Sequence, residues 1–211
     1  LYLAGFAFKY CLGLFIVNDD YILRIPGKGS PIVEVVPEVE QEVAADPDAV
    51  TQTGRATILV AGDIMTHMPI VRSGKTGDGY DFSNIFAQVK SYISAADYAV
   101  VNLETTLSGT DGDREYTGYP DFNAPDAIAA GAFSGGFDMM LTANNHCSDT
   151  LLTGIKRTLD VVRDAGLETL GTRLTGEEPR YTIVEVNGIR IGMVCYTYTM
   201  SMVNGVPSLN G

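Results

Sequence analysis

The chain has 211 residues, 45% hydrophobic and 19% charged, with a formal net charge of -12 and an isoelectric point of about 4.4. That length holds one domain with appendages, and the apolar content is enough for a core. So acidic a chain lacks the clustered Lys and Arg on which phosphate-backbone binding rests, which excludes nucleic acid as a partner; the acidity serves solubility, and a polyanionic substrate would need a cation to mediate.

In chain order, Leu1 to Val17 is apolar except for Lys9, Tyr2 and Tyr10. The run falls slightly short of the roughly 20 apolar residues of a membrane span. It reads as the end of a membrane anchor or signal segment, with a surface helix or a core segment as the open alternatives. The start at Leu1 rather than Met is what a trimmed or partial chain would show. Residues 18–55 read as a linker, broken by Pro26, Pro31, Pro37 and Pro47 and loaded with Glu34, Glu38, Glu40, Glu42, Asp46 and Asp48. Such segments stay extended and rarely pack. An apolar start, a spacer and then a globular domain over residues 56–211 predicts an extracytoplasmic protein, either membrane-anchored or secreted.

Within that domain, Thr57–Ala61 is an apolar run that predicts a strand buried on both faces. A helix is expected over Phe82–Ala96 with Ser83 as N-cap, since Ile85, Phe86, Val89, Tyr92 and Ile93 share one face. Tyr98–Val101 is the next strand. A loop rich in Gly, Asp and Tyr runs from Ser108 to Asn123, and a short helix from Pro125 to Phe133. Phe137–Thr142 is the third strand, Leu151–Ala165 a helix closed by Gly166, and Glu168–Leu170 a short strand. Tyr181–Val186 and Ile189–Tyr196 flank Asn187-Gly188, a strong hairpin signal. This order predicts an α/β domain with an antiparallel addition.

The chemistry gathers at strand ends. The first strand runs into Gly62-Asp63, the second into Asn102-Leu103-Glu104, and the third into Asn144-Asn145-His146 with Asp149 behind it. In open α/β sheets the C-terminal edge is where ligands bind. Asp63 is a candidate ligand for a hard or borderline divalent metal, or else a turn cap. His67 is a candidate substrate contact. Asn102 and Glu104 flank Leu103, so in extended chain both point to one side. Asn144 and Asn145 offer amides, and His146 an imidazole able to ligate metal or act as a general acid near neutral pH. Asp149 is placed to orient that imidazole, or else to cap the next helix. Singly each has an ordinary structural explanation; together at three successive strand ends they predict one site. The cysteines, Cys11, Cys147 and Cys195, are too few and too scattered for a disulfide framework or zinc knuckle. Cys147 adjoins His146, which leaves a nucleophilic thiol open, with a small buried filler as the expected role.

The segments Gly62-Asp63-Ile64-Met65, Asn102-Leu103-Glu104-Thr105, Phe122-Asn123-Ala124-Pro125 and Ala143-Asn144-Asn145-His146 with Asp149 resemble the bacterial capsule-synthesis CapA family, also called PgsA. Gly154-Ile155, Thr158-Leu159, Ala165-Gly166-Leu167 and Asn187-Gly188-Ile189 extend the resemblance over roughly Ala56 to Thr199. That family is tied to poly-γ-glutamate capsule production and is similar in fold to calcineurin-like metallophosphoesterases, in which two sheets are sandwiched between helices around a two-metal centre. The resemblance implies Asp63 as the first metal carboxylate, Glu104, with Asn102, at the bridging carboxylate, Asn145 as a ligand to metal and substrate, and His146 as the general acid; from their own placement Asn102, Asn144 and His67 are candidate substrate contacts and Asp149 the catalytic partner of His146. It implies a divalent cofactor (Mn, Zn, Fe or Mg), poly-γ-glutamate or a related anionic substrate, and membrane synthase subunits as partners. The alternatives are a general metallophosphoesterase acting on a nucleotide or phosphomonoester, and a non-catalytic scaffold of a polymer synthase. Two departures bear on this. Thr150-Leu151 stands where the family has Tyr-Gly, and the later His-Trp-Gly and Gly-His-His-Pro-His motifs are missing from a chain with no Trp and only His67 and His146. By that resemblance only the N-terminal half of the fold is expected here, with one face of the first sheet left uncovered and metal bound weakly.

Overall fold

A computed structural model describes residues 10–17 and 55–197. In chain order the elements are strand β1 (Tyr10–Val17), strand β2 (Ile58–Ile64), helix α1 (Met68–Ser73), a 3-10 turn (Ser83–Phe86), helix α2 (Lys90–Ile93), strand β3 (Tyr98–Leu103), helix α3 (Ala127–Gly135), strand β4 (Met139–Leu141), helix α4 (Leu151–Asp164), and strands β5 (Glu168–Leu170), β6 (Tyr181–Val186) and β7 (Ile189–Thr197). Strands β2-β3-β4-β5 form a parallel sheet, and β1-β7-β6 an antiparallel one.

Side-chain alternation divides the parallel sheet into two faces. Ala99, Val101, Leu103 and Met140 pack on Ile128, Ala129, Ala132 and Val162, which lie in or beside α3 and α4. Val100, Met139, Leu141 and Leu170 point the other way, onto Val184, Val186, Ile191, Met193 and Cys195 of the hairpin. Each fully buried side chain of this size stabilises the fold by about 1.5–3 kcal/mol relative to exposure. The layers are therefore helices, parallel sheet, antiparallel sheet, as expected for the N-terminal half of a metallophosphatase-like sandwich.

That second sheet corrects one expectation: the far face of the parallel sheet is not left bare, because the β6–β7 hairpin lies across it. Asn187 and Gly188 make the hairpin turn with φ of 52° and 77°, the positive values a type I′ turn requires. The expectation that residues 1–55 stand apart is also corrected at 10–17. This stretch is β1, paired along its whole length with β7 from Tyr10↔Thr197 to Val17↔Arg190. The backbone donors and acceptors of β7 offered a free edge, and an apolar segment supplied the partner. Residues 1–9 and 18–54, the rest of the expected anchor and the linker, lie outside the described residues.

The helix expected over 82–96 is likewise corrected to a 3-10 turn and the single turn of α2. Asp81 Oδ1 accepts the Ser83 N–H at 2.8 Å, which starts the turn one residue before the expected cap. Phe82 is buried and Phe86 packs edge-on against Phe137, whereas Ile85, Val89 and Tyr92 are exposed. The apolar periodicity there does not mark a buried face.

Candidate functional site

Three parallel strands deliver their C-terminal ends to one edge, and a bulge in β2 sets the chemistry there. Val60 pairs with Val100, but Asp63 pairs with Asn102, so β2 carries one extra residue between those pairs. A one-residue slip moves a side chain to the opposite face. The bulge thus turns Asp63 onto the face that carries Asn102.

Asn102 Nδ2 donates to Asp63 Oδ1 at 3.0 Å and makes a longer contact of 3.4 Å to Glu104 Oε2. Asn102 and Glu104 do share a side, as their spacing predicts, and both are almost wholly buried, whereas Asp63 is exposed. Asn144 Nδ2 donates to Asn102 Oδ1 at 3.1 Å and to the Leu103 carbonyl at 2.8 Å, and its Oδ1 accepts the His146 N–H at 3.1 Å. His146 Nε2 lies 3.9 Å from Glu104 Oε1, and its Nδ1 lies 2.8 Å from Asp149 Oδ2. Asp63, Asn102, Glu104, Asn144, His146 and Asp149 are joined in one network.

Burial pushes the Asp149 carboxyl above its ordinary value, and the N–H of Phe122 and the His146 ring pull it back only in part. Asp149 does not serve as the cap of α4. It accepts the Phe122 backbone N–H at 2.7 Å, while the N-cap position of α4 is Thr150.

His67 stands apart from the carboxylates. It is exposed, immediately before α1, with its ring edge-on to Phe122 at 5.0 Å between centroids; the opposite neighbour of Phe122 is His146, at 4.7 Å. Asn144 is wholly buried, and its contacts go to the protein, so it holds the site from behind. Asn145 lies beside it with a buried Oδ1 that has no hydrogen-bond partner. A buried polar atom left so is costly, and an unused carbonyl oxygen is the donor type that a hard cation takes. Oxygen from Asp63, Glu104 and Asn145 with nitrogen from His146 fits a divalent cation in kind. Among the described residues, no three His, Cys, Asp or Glu side chains are grouped as a ready metal-binding set.

Cys147 is buried, and desolvation pushes its thiol up to about 11, which fits the filler role and not a nucleophile.

Phe122 and Asn123, which carry part of the family resemblance but no expected role, belong to this arrangement. Asn123 accepts the Ser108 N–H at 2.8 Å and donates to the carbonyls of Gly109 and Glu115 at 2.9 and 2.8 Å, which folds the 108–123 loop against the site. The signals in the sequence are that motif and an Asn at the end of a Gly- and Asp-rich loop. Arg157 anchors the same region through paired bonds to Asp126 at 2.7 and 2.8 Å.

No curated protein sequence matches the chain. Residues 57–209 match the profile of a family described as the bacterial capsule synthesis protein PGA_cap. That match spans every strand from β2 onward and all the site residues just described, and the chain therefore belongs to the bacterial capsule synthesis protein family.

Proposed function

We propose that this protein acts at the cell envelope on an anionic capsule polymer of the poly-γ-glutamate type, by cation-assisted hydrolysis or transfer at an ester or amide bond. The supporting observation is the convergence of Asp63 and Glu104 on the Asn102 amide, with His146 beside Glu104 and held by Asp149. Asp63, Glu104 and Asn145 would hold a divalent cation. When bound, such a cation polarises the scissile bond and lowers the pKa of a coordinated water. It also offsets the repulsion between a chain of net charge -12 and a polycarboxylate.

The chain's own residues supply the proton and its direction. His146 donates from Nε2 to the leaving group, since Nδ1 is engaged by Asp149. Asp149 fixes the ring plane, and Phe122 packs edge-on against it. With three oxygen donors from the chain, cation binding is weak, with a Kd above about 1 µM, because tight two-metal sites use more than twice as many ligands. No helix among the described residues is long and apolar enough to cross a membrane.

The test is allelic replacement in a capsulated host. His146→Ala should abolish surface polymer while leaving the protein folded and at its normal level. Unchanged polymer would overturn the catalytic reading. Calorimetric titration of the 211-residue chain with Mn2+ should show weak binding that Asp63→Ala removes. Tight stoichiometric binding of two ions would show that the site is complete as it stands.

A further inference from the structure

The Asn144 side chain is wholly buried and spends its hydrogen bonds on three groups, two at the end of β3 and one in its own loop. Its orientation leaves no choice. The Leu103 carbonyl can only accept and the His146 backbone N–H can only donate, so nitrogen must face the first and oxygen the second. The second hydrogen of that nitrogen meets Asn102, whose oxygen must therefore face Asn144. The Asn102 nitrogen is then left facing Asp63 at 3.0 Å and Glu104 at 3.4 Å. One backbone carbonyl thus orients two amides in series, and the second amide stands between two carboxylates.

We propose that Asn144 is the positioning residue of this site: through Asn102 it holds the Asp63 and Glu104 carboxylates one amide group apart. Two carboxylates so close repel one another in a partly desolvated site. The N–H edge of Asn102 offsets that repulsion and keeps them converged before any cation arrives. The same side chain fixes the backbone of His146, so the carboxylate pair and the imidazole share one support. The proposal rests on the reading of Asp63 and Glu104 as the cation site only for its consequence for binding; the arrangement of the amides stands or falls separately.

Asn144→Asp keeps the shape and removes both N–H donors. Its oxygens then oppose the Leu103 carbonyl and draw the Asn102 nitrogen away, which turns the Asn102 oxygen towards Asp63 and Glu104. Thr142→Val is the control, since it removes a buried hydroxyl bonded to Thr172 one strand away and leaves the amides untouched. The experiment uses the full chain without metal. Side-chain amide hydrogen exchange is followed by NMR, with exposed Asn84 as reference, and Mn2+ affinity by calorimetry. In the wild type the Asn102 amide protons should exchange about tenfold or more slowly than those of Asn84. Asn144→Asp should abolish that protection and weaken Mn2+ binding about 10- to 100-fold, the range seen when outer supports of a metal site are lost; Thr142→Val should change neither. If Asn144→Asp does not fold, the wild-type measurement decides alone, and Asn102 protons exchanging as freely as those of Asn84 would overturn the proposal. Unchanged protection and affinity in a folded Asn144→Asp would overturn it too. Protection present in the wild type and lost in the variant, with no Mn2+ bound by either, would sink the cation reading while leaving the positioning role standing.

Discussion

His146 and Asp149 form a close pair, with imidazole Nδ1 2.8 Å from carboxylate Oδ2, and that same oxygen accepts the Phe122 N–H at 2.7 Å. One carboxylate oxygen thus ties the ring to the loop that leads into α3. The ring's second nitrogen is left towards Glu104.

This pair has a pH signature. Burial raises the Asp149 carboxyl above its ordinary 3.8 in the folded protein. Across the window from 3.8 up to that raised value the folded state binds more protons than the unfolded one, so the contribution of Asp149 to stability falls as pH rises. Asp149→Asn, which cannot ionise, escapes that loss. Thermal melts of variant and wild type between about pH 3 and pH 7 should show the Tm difference moving in the variant's favour as pH rises. A difference independent of pH would refute the assignment.

Leu151, the first residue of α4, has φ of 64°, in the left-handed region that favours glycine. For a residue with a Cβ this conformation costs roughly 1–2 kcal/mol. Leu151 is also exposed, so truncating it sacrifices little packing. Leu151→Gly should raise stability by about 1 kcal/mol after the added freedom of the unfolded chain is counted, a Tm increase of roughly 2–4 °C. A lower Tm would show that the Leu151 side chain makes a compensating contact.

Gly171 follows β5 with φ of 126°, and a Cβ built there would lie 2.5 Å from the backbone nitrogen of Ala143, the residue before Asn144. Both the dihedral and the contact exclude a larger residue. Gly171→Ala should cost about 3 kcal/mol, lowering Tm by roughly 6–12 °C, and should disturb the backbone amide resonances of Asn144 to His146. Wild-type resonances in that loop would mean that the strain is relieved elsewhere.

Cys147, with its thiol at about 11, should resist iodoacetamide in the folded protein at neutral pH and react once denatured. Cys147→Ala should cost about 1 kcal/mol of stability and leave surface polymer production intact. Rapid native-state alkylation of the peptide containing Cys147, read by mass spectrometry, would contradict this.

Features whose causes are local are legible in the residues themselves. Strands β2, β3 and β4 follow from short apolar runs, α4 from Leu152, Ile155, Leu159 and Val162 at helical spacing, of which only Leu152 is exposed, and the β6–β7 hairpin from Asn187-Gly188. The three strand ends that carry Asp63, Glu104 and His146 were legible for the same reason, because consecutive parallel strands put their C-terminal ends on one edge. Features that depend on partners distant in sequence are set only when the chain closes on itself. Neither the bulge that turns Asp63 towards Asn102 nor the burial of Asn144 behind Asn102 leaves a mark within its own segment. The pairing of β1 with β7 joins residues at opposite ends of the described chain, and local composition favoured a tether instead. The region 82–96 shows the converse: its periodicity promised a helix, but no element covers Ile85, Val89 and Tyr92, and the capture of the Ser83 N–H by Asp81 set the turn. Periodicity reports which side chains could share a face; what packs against that face is settled by contacts that form only when the whole chain closes.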